Sequence, residues 1–295
     1  MTETSRATIA ELVSNPEFID SISELAPGYD AMLCDAWGVI HNGVELFDGV
    51  ADALVQFRKN RGPVIILTNA PRPSTIIPGQ LDRLGLPRGA YDAVVTSGDA
   101  TRHEIARRLP APAFKIGPEK DDPLFEGLDI EFAPPEMASF IICTGMVDDK
   151  NEEPEDYREL LANLANHNLP MICANPDIVV NWGGRMIWCA GALAQIYSEL
   201  GGAVIFGGKP HAPIYELACA AVDAARKKPT QRKQMLAIGD GLATDIAGAN
   251  ANNIDAVFVA GDGGIHRGDG SEAAIAAKLA EANVETIAVM RTLKW

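Results

Sequence analysis

Four segments of this 295-residue chain bring a polar side chain to the end of a short apolar run: Asp35 after "MLC", Thr68 closing "VIILT", Lys209 in "FGGKPH", and Asp240 with Asp245 in "IGDGLATD". Singly, such residues most often serve as turn or helix-capping groups. Together they supply what phosphoryl transfer to a carboxylate requires. A nucleophilic Asp attacks phosphorus, and a magnesium ion held by Asp35, another carboxylate and waters offsets the repulsion between nucleophile and phosphate. Thr68 and nearby backbone N–H groups can donate to the phosphoryl oxygens, and Lys209 can neutralise them through the transition state. One position breaks the pattern. A strand that ends on Asp35 and turns at Gly38 is a usual mount for a nucleophile or metal ligand, and such sites often carry a second carboxylate two residues on, where this chain has Trp37.

The elements that must hold these groups are legible as apolar runs. "AMLCDAW", "PVIILTNA", "DAVVTSG", "SFIICTG", "PMICANPD", "AVIFGGKP", "QMLAIGDG" and "DAVFVAG" read as buried strands, and most are followed by an Ala-rich amphipathic segment such as 49–60 or 213–227. Alternating strand and helix predicts a parallel sheet covered on both faces, with ligands at the carboxyl ends of the strands. The stretch from about 110 to 200 has a different texture, opening in a Pro-rich and acidic run and carrying its own strands around Phe140 and Met171 and a helix over 155–166. We read it as an inserted α/β subdomain, 110–200, within a core of 31–109 and 201–295, with 1–30 as a helical N-terminal extension.

A net charge of −15 disfavours nucleic acid or anionic membrane as a partner, because phosphate backbones are bound by clustered Lys and Arg. No run approaches the roughly 18 to 20 apolar residues of a membrane span. The N-terminus lacks the basic start and apolar core of a secretory signal, so a cytoplasmic location is expected. The five cysteines are scattered without a C-x-x-C pair and read as reduced thiols rather than a disulfide framework or zinc site.

The runs "LCDAWGVIHNG", "VIILTNAPR", "VVTSGDAT", "ICANPD", "CAGALAQIYSELGG", "FGGKPHAPIYELA" and "AIGDGLATDIAGANANNIDAVFVAGD", in that order, resemble the haloacid dehalogenase (HAD) superfamily, class IIA, which includes sugar-phosphate, nitrophenyl-phosphate and phosphoglycolate phosphatases. The resemblance implies an α/β fold: a Rossmann-like doubly wound parallel sheet with an inserted α/β cap. It further implies Asp35 as nucleophile and magnesium ligand, the Trp37 carbonyl and Asp240 as further Mg2+ ligands with Asp245 in support, Thr68 and Asn69 holding phosphate, and Lys209 bridging phosphate and nucleophile. Asn175, Pro176 and Asp177 lie in a segment that faces the leaving group. A small phosphorylated substrate follows, and a homodimer through the cap is allowed.

The departure is Trp37. Phosphatases of the family carry Asp there, to protonate the leaving group and then activate water, and an indole is at most a hydrogen-bond donor. Loss of such a group typically costs roughly 10²- to 10⁴-fold in rate, or about 3 to 5 kcal/mol of barrier. Four readings stay open: another group such as His41 or His266 handles the protons; the chain is a dehalogenase-like hydrolase, a reading that the larger cap opposes; only phosphates with good leaving groups are accepted; or the chain is a phosphate-ligand binding protein of weak or no activity, against which the intact Asp35, Lys209 and Asp240 weigh. Arg72 in "TNAPRPS" reads as a second phosphate contact or a solvated loop charge. Trp182, Trp188 and Arg185 read as pocket lining with an anion anchor, or as packing. "GDGGIHRGDG" reads as a loop at the rim of the site.

Overall fold

Each of the eight apolar runs forms a strand in the computed structural model, which describes residues 16–261 and 270–295. In chain order the elements are β1 (Ala31–Cys34), α1 (Val50–Asn60), β2 (Val64–Thr68), α2 (Ile77–Leu84), β3 (Ala93–Thr96), α3 (Ser97–Ala106), β4 (Ala113–Ile116), β5 (Phe140–Cys143), α4 (Arg158–Asn166) and β6 (Met171–Cys173). Then follow β7 (Val179–Trp182), β8 (Arg185–Trp188), α5 (Ala190–Glu199), β9 (Val204–Phe206), α6 (Ala212–Arg226), β10 (Met235–Gly239), α7 (Ala247–Ala251), β11 (Asp255–Val259), α8 (Glu272–Ala282) and β12 (Ala288–Met290).

The larger sheet has the order β12-β11-β10-β1-β2-β3, with every pair parallel. β1, β2 and β10 are buried at every position, as central strands covered on both faces must be. Alternate residues feed opposite cores. Met32, Cys34, Val64 and Ile66 pack with Val50, Leu54 and Phe57 of α1, whereas Leu33, Ile65 and Leu67 pack with Ile214, Tyr215 and Val222 of α6. The chain leaves β1 toward β2 on one side and returns at β10 on the other, so the strand order reverses between β1 and β10. That crevice is where open α/β sheets bind ligands. Asp35 and Asp240 stand at its two lips.

A second parallel sheet, β4-β5-β6-β9, is inserted after α3. One face packs on Leu161 and Leu164 of α4 and Leu193 and Tyr197 of α5, and the other on Ile105 and Leu124. β9 is the fourth strand of this sheet, so residues 201–206, expected with the core, pair with the inserted lobe instead. The antiparallel hairpin β7–β8 turns through Gly183 and Gly184, both at positive φ. The N-terminal stretch also differs from expectation. Over 16–30 it forms two 3-10 turns, Ile22–Glu24 and Ala26–Gly28, and a bridge from Phe18 to Val289 rather than an α-helix, because Pro27 and Gly28 break helical continuity. Residues 1–15 and His266 lie outside the described residues. No described helix is long and apolar enough to cross a membrane.

Candidate active site

β1 pairs with β10, and the ladder continues one step beyond β1 as the Asp35 N–H donates to the Ile238 carbonyl at 2.9 Å. That fixes the Asp35 side chain at the reversal point. β9 runs through Gly207 and Gly208 into Lys209, whose ammonium has all three hydrogens engaged: to Asp35 Oδ1 at 2.5 Å, Asp245 Oδ1 at 2.6 Å and the Leu67 carbonyl at 3.0 Å. The glycine is required at 208, where a Cβ would lie 2.5 Å from Ser97 Oγ and 2.6 Å from Asn69 Oδ1. Asp245 is steadied by the Gly241 N–H, 3.0 Å from its other oxygen. Asp240 is tucked beneath the turn after Asp35: Gly38 has φ +82°, and a Cβ there would lie 2.1 Å from Asp240 Oδ2.

Carboxylate oxygens of Asp35, Asp240 and Asp245, all three buried, lie within 4.8 Å of one another. They line a cavity of about 30 Å³ together with Thr68, Asp177 and Lys209. Four carboxyl groups thus face one ammonium. Burial pushes Asp35 well above the usual carboxylate range; Lys209 opposes this, and Asp245 and Asp240 add to it. Burial pulls Lys209 down, but Asp245 and Asp35 hold it well above its usual value. A negatively charged oxygen cage with one internal cation suits a hard divalent ion, and a cavity of this volume admits about one ion or water.

The side chain of Asn69 is held between the core and the inserted lobe. Its Oδ1 accepts from the Lys209 N–H at 2.7 Å, and its Nδ2 donates to Asp177 Oδ1 at 2.8 Å and to the Lys209 carbonyl at 3.2 Å. With both amide hydrogens engaged it fixes the strand end against the inserted lobe rather than offering them to a phosphate. Pro176 lines neither cavity; its ring packs at Gly208 and its carbonyl faces Gly191. Asn175 and Asp177 do reach the site, and Asn175 Oδ1 accepts the Asp177 N–H at 3.0 Å.

A second cavity of about 560 Å³ opens beside the first, between the two sheets. Arg72 is on its wall, outside the small cavity, with Nε 3.6 Å from Asp121 Oδ1. Trp182 and Trp188 line this cavity, but Arg185 does not; its guanidinium donates to the Lys150 carbonyl. Asp121 and Thr144, which sequence reasoning did not single out, are buried here, each with an oxygen that makes no hydrogen bond. "GPEKDDP" carries no periodicity that distinguishes Asp121 from Asp122.

Trp37 packs edge-on against His41, with ring centroids 4.9 Å apart. His41 Nδ1 accepts the Gly43 N–H at 3.0 Å, and burial lowers its pKa to about 4. The ring therefore offers one neutral N–H and no basic nitrogen, which removes His41 from the acid–base role entertained for it.

This crevice, with a strand-end Asp, a buried Lys and a carboxylate cage, defines a hydrolase of the HAD type. Residues 32–131 match the model of the haloacid dehalogenase-like hydrolases, and residues 206–286 match that of HAD-like hydrolases. A hydrolase of the haloacid dehalogenase-like family from Brucella suis is 42% identical, with 94% of this chain and 100% of that chain covered and a TM-score of 0.84. A possible sugar phosphatase of the HAD superfamily from Cytophaga hutchinsonii is 22% identical, with 94% and 98% covered and a TM-score of 0.76. A p-nitrophenyl phosphatase from Archaeoglobus fulgidus is 19% identical, with 90% and 96% covered and a TM-score of 0.69. No curated protein sequence matches. The chain belongs to the haloacid dehalogenase-like hydrolase family.

Proposed function

We propose that this chain is a magnesium-dependent phosphomonoesterase that cleaves a small phosphorylated metabolite through an aspartyl-phosphate on Asp35. The observation that carries the reading is the contact of Lys209 with both Asp35 and Asp245 inside a cage of excess carboxylate. Asp35, Asp240 and the Trp37 carbonyl would hold the ion, with Asp245 in support; when bound, magnesium offsets the repulsion between the nucleophile and the phosphate dianion. Lys209, already against Asp35, neutralises the phosphoryl oxygens as the bond forms, and Thr68 adds a hydroxyl at the same strand edge. The 560 Å³ cavity takes the leaving group, and its walls of inserted lobe and core exclude water from the phosphorus. The phosphatase and sugar phosphatase names among similar structures agree with this reading.

The test is hydrolysis of nitrophenyl phosphate with and without magnesium, run beside chloride release from chloroacetate. The wild type turns over the phosphate ester only with the ion, and Asp35→Asn removes turnover in a chain that still folds. Chloride release, or full phosphatase activity in Asp35→Asn, overturns the reading.

A further inference from the structure

Position 37 holds an indole, which has no proton to give at neutral pH. Among the described residues, three line both the small cavity at Asp35 and the large cavity beside it: Trp37, Asp177 and Val180. Of these, Asp177 alone has a carboxyl. We propose that Asp177, contributed by the inserted lobe, gives the proton to the leaving group and then takes one from water, in place of the carboxyl that position 37 lacks. The proposal rests on the phosphomonoesterase reading.

The boundary between the cavities is where the chemistry needs such a group. Asp35 attacks phosphorus from the core side, so the leaving oxygen departs on the opposite side. The water that later cleaves the aspartyl-phosphate enters along that same line. One acid–base group on the lobe side therefore serves both steps. In the first, the Asp35 carboxylate forms a bond to phosphorus, the bond from phosphorus to the leaving oxygen breaks, and that oxygen takes the Asp177 proton to leave as an alcohol. In the second, water attacks phosphorus, the bond to Asp35 breaks, and the Asp177 carboxylate takes the water's proton. Inorganic phosphate, the Asp35 carboxylate and protonated Asp177 are the result.

Asp177 is held for this task. Asn69 Nδ2 fixes its Oδ1 at 2.8 Å and the Asn175 side chain fixes its N–H. No hydrogen bond among the described residues engages its Oδ2, which is left for the substrate. The charged or titratable groups that interact with it are Lys209, Asp245 and the Cys173 and Cys189 thiols. Burial raises its pKa to about 6, against the opposing pull of Lys209 and Asn69 and with a further push from Asp245. About one molecule in ten then carries the proton at pH 7, which is within the working range of a general acid. The other candidates do not reach both places: Asp121 and Asp149 line only the large cavity, and Asp245 lines only the small one, where it is tied to Lys209.

The test uses the full chain with magnesium and a series of phosphate esters running from nitrophenyl through phenyl to alkyl leaving groups. Asp177→Asn keeps the volume and the acceptor for Asn69. Its kcat/KM, which reports formation of the aspartyl-phosphate and not its hydrolysis, falls about 10²- to 10⁴-fold on alkyl esters, the loss of kcat/KM on nitrophenyl phosphate is far smaller, and the fall of kcat/KM above pH 6 expected of the wild type disappears. Asp177→Glu recovers part of the alkyl-ester rate. An equal loss on every ester, or a rise in KM alone with the pH profile intact, makes Asp177 a binding residue and overturns the proposal. Should the wild type hydrolyse no ester with magnesium, the phosphomonoesterase reading itself falls.

Discussion

Lys209 is the residue on which the site's charge balance turns. It is 3% exposed and, among the described residues, is the single cation beside the four carboxyl groups lining the small cavity. Removing one partner of a buried ion pair leaves the others uncompensated, which typically costs about 3–5 kcal/mol. Lys209→Met should therefore lower unfolding stability by about that amount in chemical denaturation, and should abolish phosphate-ester turnover. Added magnesium should return part of the stability, since a cation bound only to the folded state shifts the equilibrium toward it. Stability unaffected by Lys209→Met would show the carboxylates to be protonated in the resting site. At this scale the sequence was informative where a residue ends a strand: Asp35, Thr68, Lys209 and Asp240 were all recognisable from the apolar runs before them. Asp177 was named only through the family resemblance and as a substrate contact, because its position at a shared cavity wall depends on how two sheets face each other.

The turn after β1 and the hairpin β7–β8 show how elements place these groups. Gly38 has a positive φ and lies over Asp240, so a side chain there meets both backbone strain and the carboxylate. Gly38→Ala should push Asp240 aside, weaken magnesium binding measured by calorimetry, and lower kcat about 10²-fold, the usual scale for a displacement of about 1 Å in a catalytic group. Unchanged magnesium affinity would separate Asp240 from the metal. The elements missed from sequence share a cause. β4 is flanked by Pro112 and interrupted by Lys115, β12 has three residues, and β7 and β8 are partly exposed and lack a continuous apolar run. The Gly183–Gly184 pair between two β-rich runs was a usable hairpin signal.

Across the whole molecule, two parallel sheets direct their carboxyl ends at one another over the cavity, and buried titratable groups at that seam tie stability to pH. His41 falls from a usual 6.5 to about 4 on burial. Between those values the unfolded chain binds a proton that the folded one refuses, so stability falls as pH drops through the window, by about 3 kcal/mol in total. Asp177, raised from 3.8 to about 6, acts in the opposite sense: its contribution is lost as pH rises through nearly the same range. The wild type alone therefore shows a muted profile, and the difference between it and His41→Gln is the measurement. Denaturation midpoints of His41→Gln should gain on the wild type as pH is lowered from 6.5 to 4; parallel profiles would mean that His41 titrates normally.

The seam carries one more property, which follows from its aromatic residues. Gly43 is so closely flanked that a Cβ would lie 2.4 Å from Trp182 and 2.5 Å from Trp37, one indole from each lobe, and the Gly183 N–H donates to the Asn42 carbonyl beside them at 2.9 Å. These are two of the chain's four tryptophans. Separating the lobes would draw the two rings apart and wet Trp37, so a red shift of the native emission is the expected signal, with no label attached, of any change in lobe separation when substrate is added.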